Sequence, residues 1–152
     1  MNSRLSDTRL PAMLALCGML PFVLLMLACW VVDAEWLGFF IRGQLAWGIA
    51  ILSFSGGIHW GAAFTRDDLT PEQTRSALVW GILPVLIAWG STLAGGFGFA
   101  MLMAGFVLAY QADKRQFGCY RLPAWLLALR LKLTAAIVFM LALTVIAANI
   151  RG

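Results

Sequence analysis

The sequence predicts an all-α integral membrane protein, a bundle of five transmembrane helices, and three observations carry that reading. First, 62% of the 152 residues are hydrophobic and 12% are charged, whereas a soluble domain has about a quarter of its residues charged. Second, the apolar residues gather in five runs on the scale of the roughly 20 residues that a helical crossing needs. Third, no run alternates between apolar and polar positions, as the strands of a membrane barrel would. Five crossings use up most of the chain. This predicts one polytopic domain over residues 1–152, with no room for a separate soluble catalytic domain.

The elements follow in order. The first crossing is expected at about 11–32, after a short polar tail. Its apolar stretch is too long for a signal peptide and lacks a small-x-small cleavage site, so it reads as a retained crossing. Trp36, Leu37, Phe39, Phe40 and Ile41 make the next connection too apolar for a solvated loop and predict a short interfacial helix there. The second crossing is expected over 43–64. The third opens on Thr70-Pro71-Glu72-Gln73: an N-cap threonine, a proline at the first helical position and a glutamine able to complete a capping box. It is expected over 71–93, with Pro84 removing one backbone hydrogen bond at mid-depth. Leu93-Ala94-Gly95-Gly96 reads as a tight turn into a fourth crossing at 97–112, closed by Asp113. Pro123 opens the fifth, expected over 123–149; at 1.5 Å per residue it is about 40 Å long, so its first turns lie in the headgroup layer.

A net charge of +4 raises the question of nucleic acid, and the distribution of the charges answers it. Arg4, Arg9, Arg66, Arg75, Lys114, Arg115, Arg121, Arg130 and Lys132 fall on one side of an alternating topology, and only Arg42 and Arg151 on the other. That asymmetry is the positive-inside pattern. It predicts a cytoplasmic N-terminus, an external C-terminus and residence in a bacterial inner membrane. Lys114, Arg115, Arg121 and Lys132 are the expected contacts with anionic lipid. Cys17, Cys29 and Cys119 have no metal-ligand spacing, and no metal or other cofactor is expected.

The candidate site begins with His59, the single histidine, in the run Ser53-Phe54-Ser55-Gly56-Gly57-Ile58-His59-Trp60-Gly61. An ionisable ring at membrane depth is costly and marks a functional position by default. At 100° per residue, Ser53, Gly57 and Gly61 fall within about 80° of one another as a small-residue packing ridge, while His59 shares a face with Gly48, Leu52 and Ser55. Pro84 is expected in helix packing as well, beside Trp80, Gly81 and Trp89. Small residues on two sides predict that the second helix is the centre of the bundle. Asp113 ends the fourth helix and Arg130 lies in the first turns of the fifth, both level with His59, so the three are expected to converge near the cytoplasmic face, with Asp113 pairing Arg130. Thr134 and Ser55 are candidates to add hydroxyls there.

Phe54-Ser55-Gly56-Gly57-Ile58-His59-Trp60-Gly61, Trp80 with Pro84, Asp113, and Pro123-Ala-Trp125 with Arg130 and Thr134 together resemble the bacterial membrane family catalogued as domain of unknown function 3429, which includes transmembrane protein 69-like proteins. The Gly-Gly-Ile-His-Trp-Gly run is the most specific part, and the similarity extends from the first crossing through the fifth. The family often has a tyrosine after the tryptophan at 125, where this chain has Leu126, which removes any hydroxyl role at that position. The resemblance implies the fold and the choice of His59, Asp113 and Arg130; it implies no particular chemistry.

One histidine and one aspartate supply neither a nucleophile nor a metal set, so a non-enzymatic role is expected. The leading expectation is a multipass inner-membrane protein that binds a membrane lipid, a quinone-like molecule or a partner membrane protein, a second copy included, through the His/Asp/Arg cluster. The alternative is a small proton-coupled transporter or channel-like carrier that uses His59.

Overall fold

The computed structural model of the chain describes residues 9–152, so the polar tail with Arg4 lies outside the described residues. Six α-helices follow one another among the described residues: α1 (Arg9–Val31), α2 (Ala34–Ser55), α3 (Gly57–Thr65), α4 (Pro71–Ser91), α5 (Gly98–Gln116) and α6 (Ala124–Arg151). A single 3-10 turn, Gly95–Phe97, joins α4 to α5. No strand is present among the described residues.

Packing runs round a ring, α1 on α2, α2 on α4, α4 on α5, α5 on α6 and α6 back on α1, and α2 also touches α5 and α6 across the middle. The second helix is therefore the central one. Its inner face buries Gly48 and Leu52 with Phe22, Ala88, Leu102, Phe106 and Leu141. The outward surface is apolar too: Leu14, Leu24, Val31, Phe54, Phe64, Phe97, Phe139 and Ile150 are all exposed. An apolar exterior around an apolar core is what a hydrocarbon solvent allows. Four helical segments, Arg9–Val31, Ala34–Thr65, Gly95–Gln116 and Ala124–Arg151, are long and apolar enough to cross a membrane. Helix α4 has the length, but Glu72, Gln73, Thr74, Arg75 and Ser76 at its start dilute its apolar character.

Close packing rests on glycine, as expected where lipid and core are equally apolar. A Cβ on Gly48 would stand 2.8 Å from Leu102 Cδ1, and one on Gly105 would stand 2.6 Å from Leu52 Cδ2. A Cβ on Gly56 would run into the Gly81 carbonyl, so α2 and α4 meet backbone to backbone. Pro84 is buried on the same face of α4 as Gly81. At the far end Arg151 donates to Cys29 O at 2.7 Å and Val32 O at 2.6 Å, satisfying the last carbonyls of α1.

Local chemistry sets the boundaries. The Thr70 hydroxyl accepts from Gln73 N at 3.2 Å and Gln73 Oε1 accepts from Thr70 N at 2.9 Å, a complete capping box ahead of Pro71. Other expectations need correcting. The stretch 33–42 is not a separate interfacial helix, because α2 starts at Ala34 and runs unbroken to Ser55, leaving a two-residue link to α1. The span 43–64 is not one helix either. It is interrupted at Gly56, where i→i+3 bonds from Gly56 N to Ser53 O and from His59 N to Gly56 O replace the α pattern. The helix expected to stop at Ala112 continues to Gln116.

The packing ridge of Ser53, Gly57 and Gly61 also fails. Gly57 and Gly61 are exposed, a Cβ on either would meet nothing within 4 Å, and Ser53 is only half-buried. The tighter winding at Gly56, at about 120° per residue against 100°, turns the following residues off the ridge counted for a continuous helix. Gly56 itself makes the close approach.

Candidate functional site

The site forms at the end of the bundle where α3, the end of α5 and the start of α6 meet. Trp60 holds α3 in place: its ring fills the space above Gly81, and its Nε1 donates to Leu78 O at 3.1 Å. With Trp60 turned onto α4, His59 points into the bundle and is 2% exposed. Its ring lies against Phe117 and edge-on to Tyr120, with centroids 6.4 and 5.7 Å away.

Both imidazole nitrogens have polar neighbours. Nε2 is 3.1 Å from Asp113 Oδ1, and Nδ1 is 3.0 Å from the Tyr120 hydroxyl. Asp113 is fully buried, and its other oxygen, Oδ2, accepts from Arg130 Nε at 2.6 Å. The Nε2 contact is at ion-pair distance but not aligned as a hydrogen bond, so Oδ1 has no hydrogen-bond donor among the described residues. Beyond the ring, Tyr120 donates to Gln116 Oε1, and Gln116 Nε2 donates to Ser76 Oγ at 3.1 Å. A continuous polar chain thus runs Ser76–Gln116–Tyr120–His59–Asp113–Arg130, built from α4, α5, the turn after α5, α3 and α6.

That turn explains why Tyr120 faces inward. Leu122 N bonds to Phe117 O and Arg121 N to Gly118 O, a Schellman closure that carries α5's winding on to Tyr120. Arg121 takes the left-handed position at φ 53°, where glycine is usual. Burial pushes the Tyr120 hydroxyl up to about 12, with Cys119 and Asp113 adding in the same direction, so it stays protonated as a relay between His59 and Gln116. On the exposed surface below, the Arg66 guanidinium holds the Asp68 carboxyl below its usual range through bonds of 2.9 and 2.7 Å, and Arg121 adds to this at 3.4 Å.

Arg130 also borders a cavity of about 750 Å³ between the first halves of α1 and α6, with α2 and α5 behind it. Its walls are Leu14, Met19, Ile51, Phe106, Leu129, Leu133 and similar residues, with Ser55, Arg130 and Thr134 as the polar positions. A volume between about 300 and 1,000 Å³ with a few polar groups in an apolar lining is characteristic of small-molecule sites. Ser76, at the other end of the polar chain, borders a smaller surface depression with Glu72 and Arg75.

The sequence-derived residues sort cleanly. His59, Asp113 and Arg130 are brought into direct contact. Ser55 and Thr134 do not join the ionic cluster but line the cavity beside it; Ser55 Oγ donates to Leu52 O at 2.6 Å. Lys114, Arg115, Arg121 and Lys132 are exposed around this end. Tyr120, Gln116 and Ser76 were missed. Gln116 and Tyr120 do carry a signal, since Asp113, Gln116 and Tyr120 follow the i, i+3, i+7 spacing of one helix face, but closing the fourth helix at Asp113 hides it.

A helical bundle with an apolar exterior and an ionic cluster beside a mostly apolar cavity is a membrane protein with an interior polar site. Comparison places it further: residues 8–146 match the family described as protein of unknown function (DUF3429), and the chain belongs to that family. It is 32% identical to transmembrane protein 69 of Xenopus tropicalis over 146 residues, covering 90% of this chain and 54% of that protein. The chain therefore spans about half the length of this curated relative. No solved structure matches it.

Proposed function

We propose that this is a five-crossing protein of the bacterial inner membrane whose role is to bind a membrane amphiphile in the cavity between α1 and α6. The polar head sits at Arg130, with Ser55 and Thr134 alongside, and the tail runs along the apolar wall. The observation that carries this reading is Arg130 itself. Arg130, neutralised at Nε by a buried carboxylate, lines a mostly apolar cavity, a costly placement for a cation unless something polar arrives there. Native mass spectrometry in mild detergent is expected to retain one amphiphile per chain. Filling the cavity with Leu133→Trp should release it, and retention unchanged in that variant would remove the site from this cavity.

The topology rests on the charge distribution, with α4 as the fifth crossing despite its polar start. The cluster then faces the cytoplasm, the N-terminus is inside and the C-terminus outside. Cys119 is exposed beside the cluster. A membrane-impermeant maleimide is expected to label it in inside-out vesicles but not in intact spheroplasts; the reverse pattern inverts the orientation.

A further inference from the structure

We propose that the cavity's occupant is a single-chain amphiphile with one negative charge, a long-chain carboxylate, and that its arrival at Arg130 is matched by uptake of one proton at His59. This rests on the binding reading above and names the ligand class of the same site.

The direction of the tail follows from dimensions. The cavity extends along α6 from Leu126 to Ile137, which is about 16 Å at 1.5 Å per residue. From Arg130 to Ile137 it runs about 10 Å, so the apolar wall beyond Arg130 takes the first part of a leaflet-length chain. Arg130 lies near the end of the trough where α6 begins, and Ile137 and Met19 lie deeper. A head at Arg130 therefore leaves the tail pointing towards mid-membrane.

The head's charge follows from the lining. Arg130 is the charged group among the described lining residues. Its Nε is taken by Asp113, and among the described residues no hydrogen bond is made to its Nη1–Nη2 edge. That fork matches a carboxylate in bidentate fashion. A phosphate monoester, at about −1.5 to −2, would bring more charge than Arg130 and a protonated His59 together balance beside Asp113.

The proton follows from the same charge count. Asp113 is fully buried and already relies on Arg130. Once a second anion shares that guanidinium, the cluster carries one excess negative charge in a medium that penalises it severely. His59 Nε2 stands 3.1 Å from the Asp113 oxygen that lacks a donor, so it is the group placed to supply the balancing charge. The ionisable groups facing His59 are Asp113 from α5, Tyr120 from the turn and Arg130 through Asp113 from α6; α4 contributes only Ser76, through Gln116. The proton comes from solvent. The change needs a reversal of the Tyr120 hydroxyl and a half-turn of the Gln116 amide that exchanges Oε1 and Nε2. With Nδ1 as acceptor, Tyr120 donates to His59 and the Gln116 amide nitrogen to Tyr120. With Nδ1 protonated, His59 donates to Tyr120 and Tyr120 to Gln116 Oε1, the direction in which Gln116 Nε2 donates to Ser76.

The test is isothermal titration of the full chain in nanodiscs with palmitate, with hexadecyl sulfonate as a non-titrating monoanion, and with hexadecanol as the neutral chain. Each is run in buffers of different ionisation enthalpy. The sulfonate is expected to bind with uptake of about one proton, its affinity rising up to about tenfold per unit fall in pH. The imidazole nitrogen NMR of the single histidine should change on binding, and His59→Gln should bind without proton uptake. If none of the three amphiphiles binds, the cavity reading itself falls. Equal binding of alcohol and sulfonate leaves the cavity standing and overturns the anionic head. Anion binding without proton uptake, or with the same uptake in His59→Gln, overturns the coupling. The wild-type calorimetry and NMR decide the matter even if the variant misfolds.

Discussion

The two ends of the bundle bury polar groups in different ways. At the His59 end, side chains from α3, α4, α5, α6 and the turn after α5 bond to one another across elements. At the opposite end the buried hydroxyls turn back on their own helices: Ser91 Oγ donates to Ala88 O and Thr144 Oγ1 to Met140 O. Gln44, fully buried in α2, has no partner for either amide atom among the described residues. A hydroxyl bonded to its own helix needs nothing from its neighbours, so it can sit in a packed interface simply as a small side chain. A network joined across several elements fixes their relative positions, and here it also meets a cavity.

The contrast makes quantitative demands. The largest effect is expected from Asp113→Ala, which leaves the cationic Arg130 without its partner and His59 without its acid; a loss of about 3 kcal/mol or more is expected in detergent unfolding. Thr144→Val at the other end should cost far less, and comparable losses would erase the distinction between the ends. Gly81→Ala is next. Its methyl would collide with the Trp60 ring that aims His59, and about 1–3 kcal/mol should be lost. Gly57→Ala, one residue beyond the helix break and in open space, should instead be neutral or gain up to about 1 kcal/mol from helix propensity.

Gln44→Met tests the other end with the opposite sign. Removing a buried amide that has no partner should raise stability by about 1 kcal/mol. A loss of that size would show that Gln44 belongs to a network of its own. The last effect, at Tyr120, is one of pH. Its hydroxyl is held up to about 12 against an ordinary value of 10.0, so the folded state keeps the proton longer than the unfolded one. The resulting stability is complete below pH 10 and declines as the pH rises towards 12. Tyr120→Phe should flatten that alkaline decline in a thermal-melt series.

Much of this was legible in the chain. The capping box at Thr70, the apolar runs and the common level of His59, Asp113 and Arg130 follow from local sequence and from distance along helices. The partners Tyr120 and Gln116 were obscured, because a basic stretch after Asp113 reads as loop until the Schellman closure shows the helix winding onward, and Ser76, on another helix, was not legible. The glycine ridge misled for a related reason. Counting 100° per residue from Ser53 to Gly61 assumes one helix, and the winding changes at Gly56.

The sequence by itself determined that this is a helical membrane protein and at what level its ionisable groups lie. Hydropathy belongs to each residue, and depth accumulates along each helix from the membrane boundary. Only the tertiary structure decided which way those groups face. Direction around a helix depends on every change of winding and on which backbones approach, and the contact of Gly56 with Gly81 under Trp60 is a long-range event that no local run encodes. That contact turns His59 onto Asp113, and the packing of α1 and α6 leaves Arg130 at a cavity wall.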